Sequence, residues 1–114
     1  MEYQYEPSTP AQSGQIVFLG HQGENLARRV IFDLSELLER YPQGRFALAA
    51  QRKGDALPYP AARTNLDGSA LIWTLTDTDT AVAGYGRCEL RCYDGDTLAK
   101  SEVWNTFTLP ALSA

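Results

Sequence analysis

The sequence has no excess of basic residues, and it has no long apolar run. Its 10 lysines and arginines against 14 aspartates and glutamates give a net charge of -4, which argues against a protein that binds the phosphate backbone of a nucleic acid. No stretch approaches the roughly 20 apolar residues of a membrane-spanning helix, and the N-terminus lacks the basic start and apolar core of a secretory signal. We therefore expect neither a nucleic acid nor a membrane as the partner.

Cysteine is also scarce, with only Cys88 and Cys92. In an extended strand their Cα atoms would lie about 13 Å apart, whereas a disulfide needs Cα atoms within about 7 Å. The two thiols therefore cannot pair with each other. We expect both to be buried and free, as in a protein that stays in a reducing compartment.

The residues that catalysis or metal binding would need are few. His21 is the only histidine and lies in the glycine-containing segment GHQG, where a solvent-exposed polar role is the commoner one. The sequence offers no second histidine and no closely spaced cysteine pair for zinc. The acidic segments DTDT (77–80) and DGD (94–96) do not match the calcium loop of an EF-hand, and we assign both to turns. We predict no catalytic residue, no metal and no cofactor, and hence a protein that is not an enzyme.

What the sequence does contain is a succession of short apolar segments separated by turn residues. A chain of 114 residues with 44% apolar side chains can bury the core of one domain. We expect a flexible N-terminal arm (1–14), a single domain (15–110) and a C-terminal tail (111–114). About seven strands and one short helix predict an all-β fold, an immunoglobulin-like antiparallel β-sandwich, with a small closed barrel as the second choice.

Two local patterns have defined expectations. Asp33 followed by Glu36 predicts a capping box at the start of a helix of one or two turns. The segment ARTNLDGSALIWTL predicts a hairpin with Asp67 and Gly68 in a tight turn, with Leu71, Trp73 and Leu75 on one face.

Charge pairing selects a register for the last hairpin. A two-residue turn at residues 94–95 places Glu89 opposite Lys100 and Arg87 opposite Glu102, and both pairs have opposite charges. A four-residue loop would create like-charge pairs, and a three-residue loop would set an apolar residue against a lysine. We therefore predict the two-residue turn.

That register divides the hairpin into two faces. The predicted inward side chains are Cys88, Leu90, Cys92, Ala99, Val103 and Phe107. The predicted outward side chains are Tyr85, Arg87, Glu89, Arg91, Tyr93, Lys100, Glu102 and Trp104. The candidate binding residues on the outward face are its aromatic and arginine side chains: Tyr85, Arg87, Arg91, Tyr93 and Trp104.

Aromatic and arginine side chains are favoured at protein interfaces, and aromatic rings also stack on sugars. Three possibilities therefore stay open for this face. It packs on a helix, the N-terminal arm or the second sheet; it binds a protein; or it binds a carbohydrate.

The segments GENLARRVIFDLSELLERYPQGRFALAAQRKGD and DGSALIWTLTDTDTAVAGYGRCELRCYDGDTLAKSEVWNTFTL are similar to a domain of phage structural proteins from Gram-positive bacteria. The resemblance is to the N-terminal domain of the baseplate upper protein and to related domains encoded among tail, baseplate and head-fibre genes. It implies a β-sandwich that attaches a host-recognition device to the virion and acts in oligomers. Baseplate upper proteins continue into a longer region, whereas this sequence ends at PALSA, which favours an adaptor or decoration role, or a fragment.

The resemblance gives the leading functional expectation. It implies a non-enzymatic phage or prophage virion structural protein, present in the bacterial cytoplasm during assembly and then in the virion. Its expected partners are other phage structural subunits, with a homo-oligomer as a further possibility. The alternative is a stand-alone carbohydrate-binding module that uses Trp104, Tyr85 and Tyr93 as a stacking platform.

Overall fold

Two β-sheets packed face to face form the protein, in a computed structural model that describes residues 8–111. Nine strands and one helix follow one another along the chain: β1 (Ser8–Pro10), β2 (Val17–His21), β3 (Arg29–Asp33), α1 (Ser35–Arg40), β4 (Arg45–Gln51), β5 (Tyr59–Pro60), β6 (Thr64–Asp67), β7 (Ala70–Thr74), β8 (Gly84–Asp94) and β9 (Thr97–Leu109). The four-stranded sheet has the order β1-β3-β7-β6, and the five-stranded sheet has the order β2-β9-β8-β4-β5.

The predicted all-β sandwich with one short helix is confirmed, in two separate sheets and not a closed barrel. The number of strands in the described residues is nine where about seven were predicted. The predicted antiparallel arrangement has two exceptions, because β1 pairs with β3 in parallel and β2 pairs with β9 in parallel. Both exceptions lie at sheet edges, where the first strands of the chain add to strands that follow them in sequence.

Apolar side chains from both sheets meet in one core. In β7 and just beyond it, Leu71, Trp73 and Leu75 are all buried, as their spacing predicted. Phe32 of β3 faces Trp104 of β9 across the sandwich, with ring centroids 5.0 Å apart. Each large apolar side chain that is fully buried contributes about 1.5–3 kcal/mol, so this layer holds the two sheets together.

The N-terminal segment differs from the flexible arm that was predicted for residues 1–14, of which residues 1–7 lie outside the described part. Strand β1 pairs along β3, and the Ala11 backbone N–H donates to the Ile31 carbonyl oxygen at 2.8 Å. The arm is therefore tied to the sheet edge at these residues. The composition of this segment did not predict the pairing. An edge strand is held by backbone hydrogen bonds, which do not require particular side chains. Of the predicted tail, residues 112–114 also lie outside the described part.

Helix α1 has six residues, in agreement with the predicted one or two turns, but it begins differently. Leu34 is the N-cap and no side chain caps the helix, so the predicted capping box of Asp33 and Glu36 was wrong. The Asp33 carboxylate instead accepts hydrogen bonds from the backbone N–H and the hydroxyl of Ser35. These two bonds lower the pKa of Asp33.

Both tight hairpin turns lie one residue later than predicted. Residues 68–69 connect β6 to β7, and residues 95–96 connect β8 to β9. The first residue of each turn is a glycine, with φ of 61° in one and 65° in the other, and the second residue does not have positive φ. This is the pattern of a type II′ turn, whereas the Asp-Gly central pair of the predicted turn is typical of type I′. Both turn types suit a two-residue hairpin, so the dipeptide alone did not determine the register.

The predicted register of the last hairpin was consequently wrong. In addition to the later turn, the pairing of β8 with β9 shifts between Cys92 and Tyr93, where β9 contains one extra residue. Glu89 therefore faces Val103, not Lys100, and Arg87 faces Asn105, not Glu102. An odd displacement exchanges the two faces of a strand, because side chains alternate with a period of two.

The exchange affects β9 and leaves β8 as predicted. Cys88, Leu90 and Cys92 are buried, and the two cysteines are free thiols, as expected. On β9, however, Val103 is exposed and Phe107 lies opposite the outward Tyr85, although both were predicted inward. The predicted outward side chains Lys100, Glu102 and Trp104 lie on the inward face instead, because they are paired with Cys92, Leu90 and Cys88.

Candidate protein-protein interface

The outer face of the five-stranded sheet carries most of the candidate residues. We define this outer face by the side chains that point away from the core on β8 and β9: Tyr85, Arg87, Glu89, Arg91, Tyr93, Val103 and Phe107. Tyr85 is 61% exposed and Val103 is 51% exposed. No described element covers the sheet at these two positions, so the outer face is accessible to a partner there.

An aromatic pair forms one end of the outer face. Tyr85 and Phe107 are direct neighbours across the two strands, with ring centroids 4.7 Å apart and planes tilted by 44°. Phe107 supports the ring of Tyr85 from one side and leaves most of it in solvent. A rigid aromatic ring held in this way is a favoured anchor in protein interfaces, since little conformational entropy is lost when it is covered.

The two arginines of the outer face have different surroundings. Arg91 forms an ion pair with Glu89 at 3.0 Å and donates to the Tyr93 hydroxyl at 3.5 Å. The hydrogen bond to Tyr93 is the larger cause, followed by that to Glu89, and both raise the pKa of Arg91. Within residues 8–111, the Arg87 side chain has only a long hydrogen bond of 3.5 Å to the Gln51 side chain. Arg87 is thus the cation of this face that can bind a carboxylate of a partner without losing an existing ion pair.

A shallow depression of about 160 Å³ lies beside Arg87. Its lining includes Ala49, Pro58 and Val103, with Arg87 and Glu89 also contributing. Pockets for small-molecule ligands are usually about 300–1,000 Å³. The depression is smaller than that and matches one side chain of a partner protein better than a free ligand.

Trp104 does not belong to this face, although the sequence placed it there. Its side chain is 5% exposed, packs against Phe32 and donates from Nε1 to the Gln12 carbonyl oxygen at 3.1 Å. The other four predicted residues, Tyr85, Arg87, Arg91 and Tyr93, do lie together on the outer face of β8. Sequence reasoning missed Val103 and Phe107, because it did not foresee the extra residue in β9 that turns both side chains outward.

A second concave region, the cleft, lies on the inward side of β9. It has a volume of about 710 Å³, and its lining combines an apolar floor with charged side chains from α1 and β9. The floor is formed by Phe32, Leu37, Leu90 and Trp104. The charged side chains are Asp33, Glu36, Glu39, Arg40, Lys100 and Glu102. Sequence reasoning missed the cleft because it placed Lys100 and Glu102 on the other face.

The predicted acidic turns contain one buried carboxylate, Asp79. It accepts hydrogen bonds from the Tyr59 hydroxyl at 2.7 Å and from the Thr76 backbone N–H at 2.8 Å. Burial, together with the hydrogen bond to Asp79, raises the pKa of Tyr59 above its ordinary value. Asp79 therefore stabilises the loop from Thr76 onwards, which agrees with the assignment of this segment to a turn.

Other chemically reactive groups of the described residues are dispersed. Within residues 8–111, no three histidine, cysteine or acidic side chains converge in a way that could hold a metal ion. His21 is exposed at the end of β2, and the Cys88 thiol is buried, which raises its pKa to about 12. The same part of the chain has no helix that is long and apolar enough to cross a membrane.

Comparison with known proteins finds a structural similarity without a sequence family. No protein-family profile matches the chain, and no curated protein matches it. A solved structure, the N-terminal domain of phage TP901-1 ORF48, is similar with a TM-score of 0.53 and 8% sequence identity. The alignment covers 90% of this chain and 94% of that one. At this identity the similarity shows a shared fold.

Proposed function

We propose that this protein is a non-enzymatic structural component of a phage or prophage virion, acting through protein-protein contacts as an adaptor in the baseplate, tail or head fibre. The observation that carries the proposal is the fold shared with a phage protein domain over 90% of the chain. The sequence motifs of the two matched segments support it independently, since they resemble the N-terminal domain of baseplate upper proteins.

The outer face is the surface through which we propose that a virion subunit binds. It combines an exposed aromatic ring at Tyr85, an apolar depression at Val103 and the cation of Arg87, which has no ion pair within residues 8–111. Interface hot spots are enriched in tyrosine and arginine side chains. The matching partner surface would present an apolar side chain next to a carboxylate.

The carbohydrate-binding alternative has less support from the structure than it had from the sequence. Its platform required Trp104, which is buried against Phe32. The remaining rings, Tyr85 and Tyr93, lie eight residues apart on one strand, which separates them by about 26 Å at 3.3 Å per residue. One sugar ring cannot bridge that distance, so the virion role is the function that we propose.

The test is whether the chain enters phage particles. We expect mass spectrometry of gradient-purified particles from the bacterium that encodes it to find its peptides in a fixed ratio to the other structural proteins. Particles assembled with Tyr85→Ala in place of the natural chain should contain less of it. Leu66→Ala, which removes an exposed leucine of the opposite sheet, is the matched control and should be incorporated normally.

Particles that retain the other structural proteins but lack this chain would contradict the proposal. Normal incorporation of Tyr85→Ala would leave the virion role in place and exclude Tyr85 as an anchor of the interface. Unfolding curves of both purified variants separate these outcomes from a loss of folding.

A further inference from the structure

Strand β9 has a long unpaired edge. It contains 13 residues, of which all but Ala99 and Leu109 pair with β8 on one side, but β2 pairs only with the segment Thr106–Leu109 on the other side. No described strand pairs with residues 97–105 on that second side. We propose that this edge binds the same edge of a second copy of the chain, antiparallel, around a two-fold axis at Ser101. The inference rests on the proposed function, for which it names one partner.

The charges beside Ser101 are self-complementary. Lys100 and Glu102 both point to the inward face, since they pair with Cys92 and Leu90. With the axis at Ser101, Lys100 of each copy lies opposite Glu102 of the other copy, so two pairs of opposite charge form. Opposite charges directly across from each other stabilise a strand pair, and like charges destabilise it.

Neighbouring registers lack this complementarity. A two-fold axis perpendicular to the sheet places inward side chains opposite inward side chains. Such an axis must pass through a residue, so the alternative registers place it at one residue or the next along the strand. With the axis at Lys100, two lysines meet; with the axis at Glu102, two glutamates meet. The axis at Ser101 is the position between them that replaces both repulsions with attractions.

Both charged groups are available for such pairing. Lys100 is exposed and forms no ion pair or hydrogen bond with another side chain within residues 8–111. Glu102 accepts a hydrogen bond from the Ser13 hydroxyl and has no cationic partner among the described residues. Because both line the open cleft, neither would have to break an ion pair before it met the second copy.

Pairing of this kind would extend the five-stranded sheet across the two-fold axis. Two outer faces would then lie side by side in one continuous sheet, with both Tyr85 rings on the same surface. A bivalent surface binds a symmetric partner more tightly than either half does, because the second contact is intramolecular. The extra residue near Ala99 interrupts the regular edge. With the axis at Ser101, regular pairing is therefore restricted to Lys100, Ser101 and Glu102 of each copy.

Charge reversal tests the proposed pairing. We expect the natural chain to form a dimer that depends on concentration in sedimentation velocity. Lys100→Glu and Glu102→Lys should each weaken the dimer about tenfold or more, since each converts both attractive pairs to repulsive ones. The double variant K100E/E102K should restore the natural affinity. An equimolar mixture of the two single variants should also associate, because all of its heterodimer pairs are attractive.

Matched reversals on the other sheet provide the control. Asp67→Lys and Arg63→Glu change exposed charges around β6 and should leave the dimer unchanged. A chain that stays monomeric at every accessible concentration, or a dimer unaffected by Lys100→Glu, would overturn the pairing. Either result is compatible with incorporation of the chain into virions, so failure of the edge pairing and failure of the proposed function are distinguishable.

Discussion

Replacing Trp104 by alanine distinguishes the two registers of the last hairpin. In the structure, Trp104 is 5% exposed and contacts Phe32 at a centroid distance of 5.0 Å. Truncation of a core Trp costs about 3–5 kcal/mol. Because Trp104 borders the open cleft, water can enter part of the vacated space, and we expect about 3 kcal/mol, the lower end of that range. The melting temperature should fall by roughly 12 °C in a domain of this size.

Denaturant unfolding of the purified variants provides the measurement, with Trp104→Phe and Tyr85→Ala as controls. Trp104→Phe keeps a ring against Phe32 but loses the hydrogen bond to Gln12, so it should cost about 1–2 kcal/mol. Tyr85→Ala removes an exposed ring and should cost about 1 kcal/mol, the value of one aromatic pair. If Trp104→Ala costs no more than Tyr85→Ala, then Trp104 lies on the outer face and the register described above is wrong.

Three further predictions concern single positions. Gly86→Ala should destabilise the fold by about 1–3 kcal/mol, because its Cβ would lie 2.4 Å from the Gln51 carbonyl oxygen; an unchanged melting temperature would contradict this. Cys88, with a pKa of about 12, should react with a thiol reagent at pH 8 far more slowly in the native than in the unfolded protein; similar rates would show that it is accessible. The Arg52 side chain lowers the pKa of Asp55 below its ordinary value, so this pair stabilises the fold above that ordinary value and loses the effect as pH falls through the folded pKa. When the pH is lowered from about 5 to about 2, the Asp55→Asn variant should accordingly lose less stability than the natural chain. Equal losses would show that the pair contributes nothing.

The elements of the fold were predictable where apolar periodicity determines them. The alternation of apolar side chains in the segment ALIWT predicted a strand, and the spacing of the leucines around Leu37 predicted a short helix. The structure contains both elements. The sheet partners were not predictable in the same way. The parallel additions of β1 and β2 at the edges depend on backbone hydrogen bonds between segments that share no side-chain pattern.

The candidate site was predictable on one strand and not on the other. Tyr85 and Arg87 point outward because the buried cysteines fix the alternation of β8. On β9, the two charge pairs that selected the predicted register are a coincidence of composition, since Lys100 faces Cys92. The later turn alone would have kept the predicted faces of β9, and the one extra residue near Ala99 was enough to exchange Trp104 with Val103.

The parallel pairing of β2 with β9 also determines when this chain can complete its fold. Ser13 and Glu102 make a hydrogen bond across 89 residues of sequence, and β2 lies next to the end of β9 in the same region. Contacts between such distant segments slow folding, because a long loop must close before they form. During synthesis, β2 therefore has an open edge until Thr106–Leu109 have left the ribosome. A nascent chain of this kind is exposed to mispairing with other copies, and chaperones that cover strand edges should increase its yield.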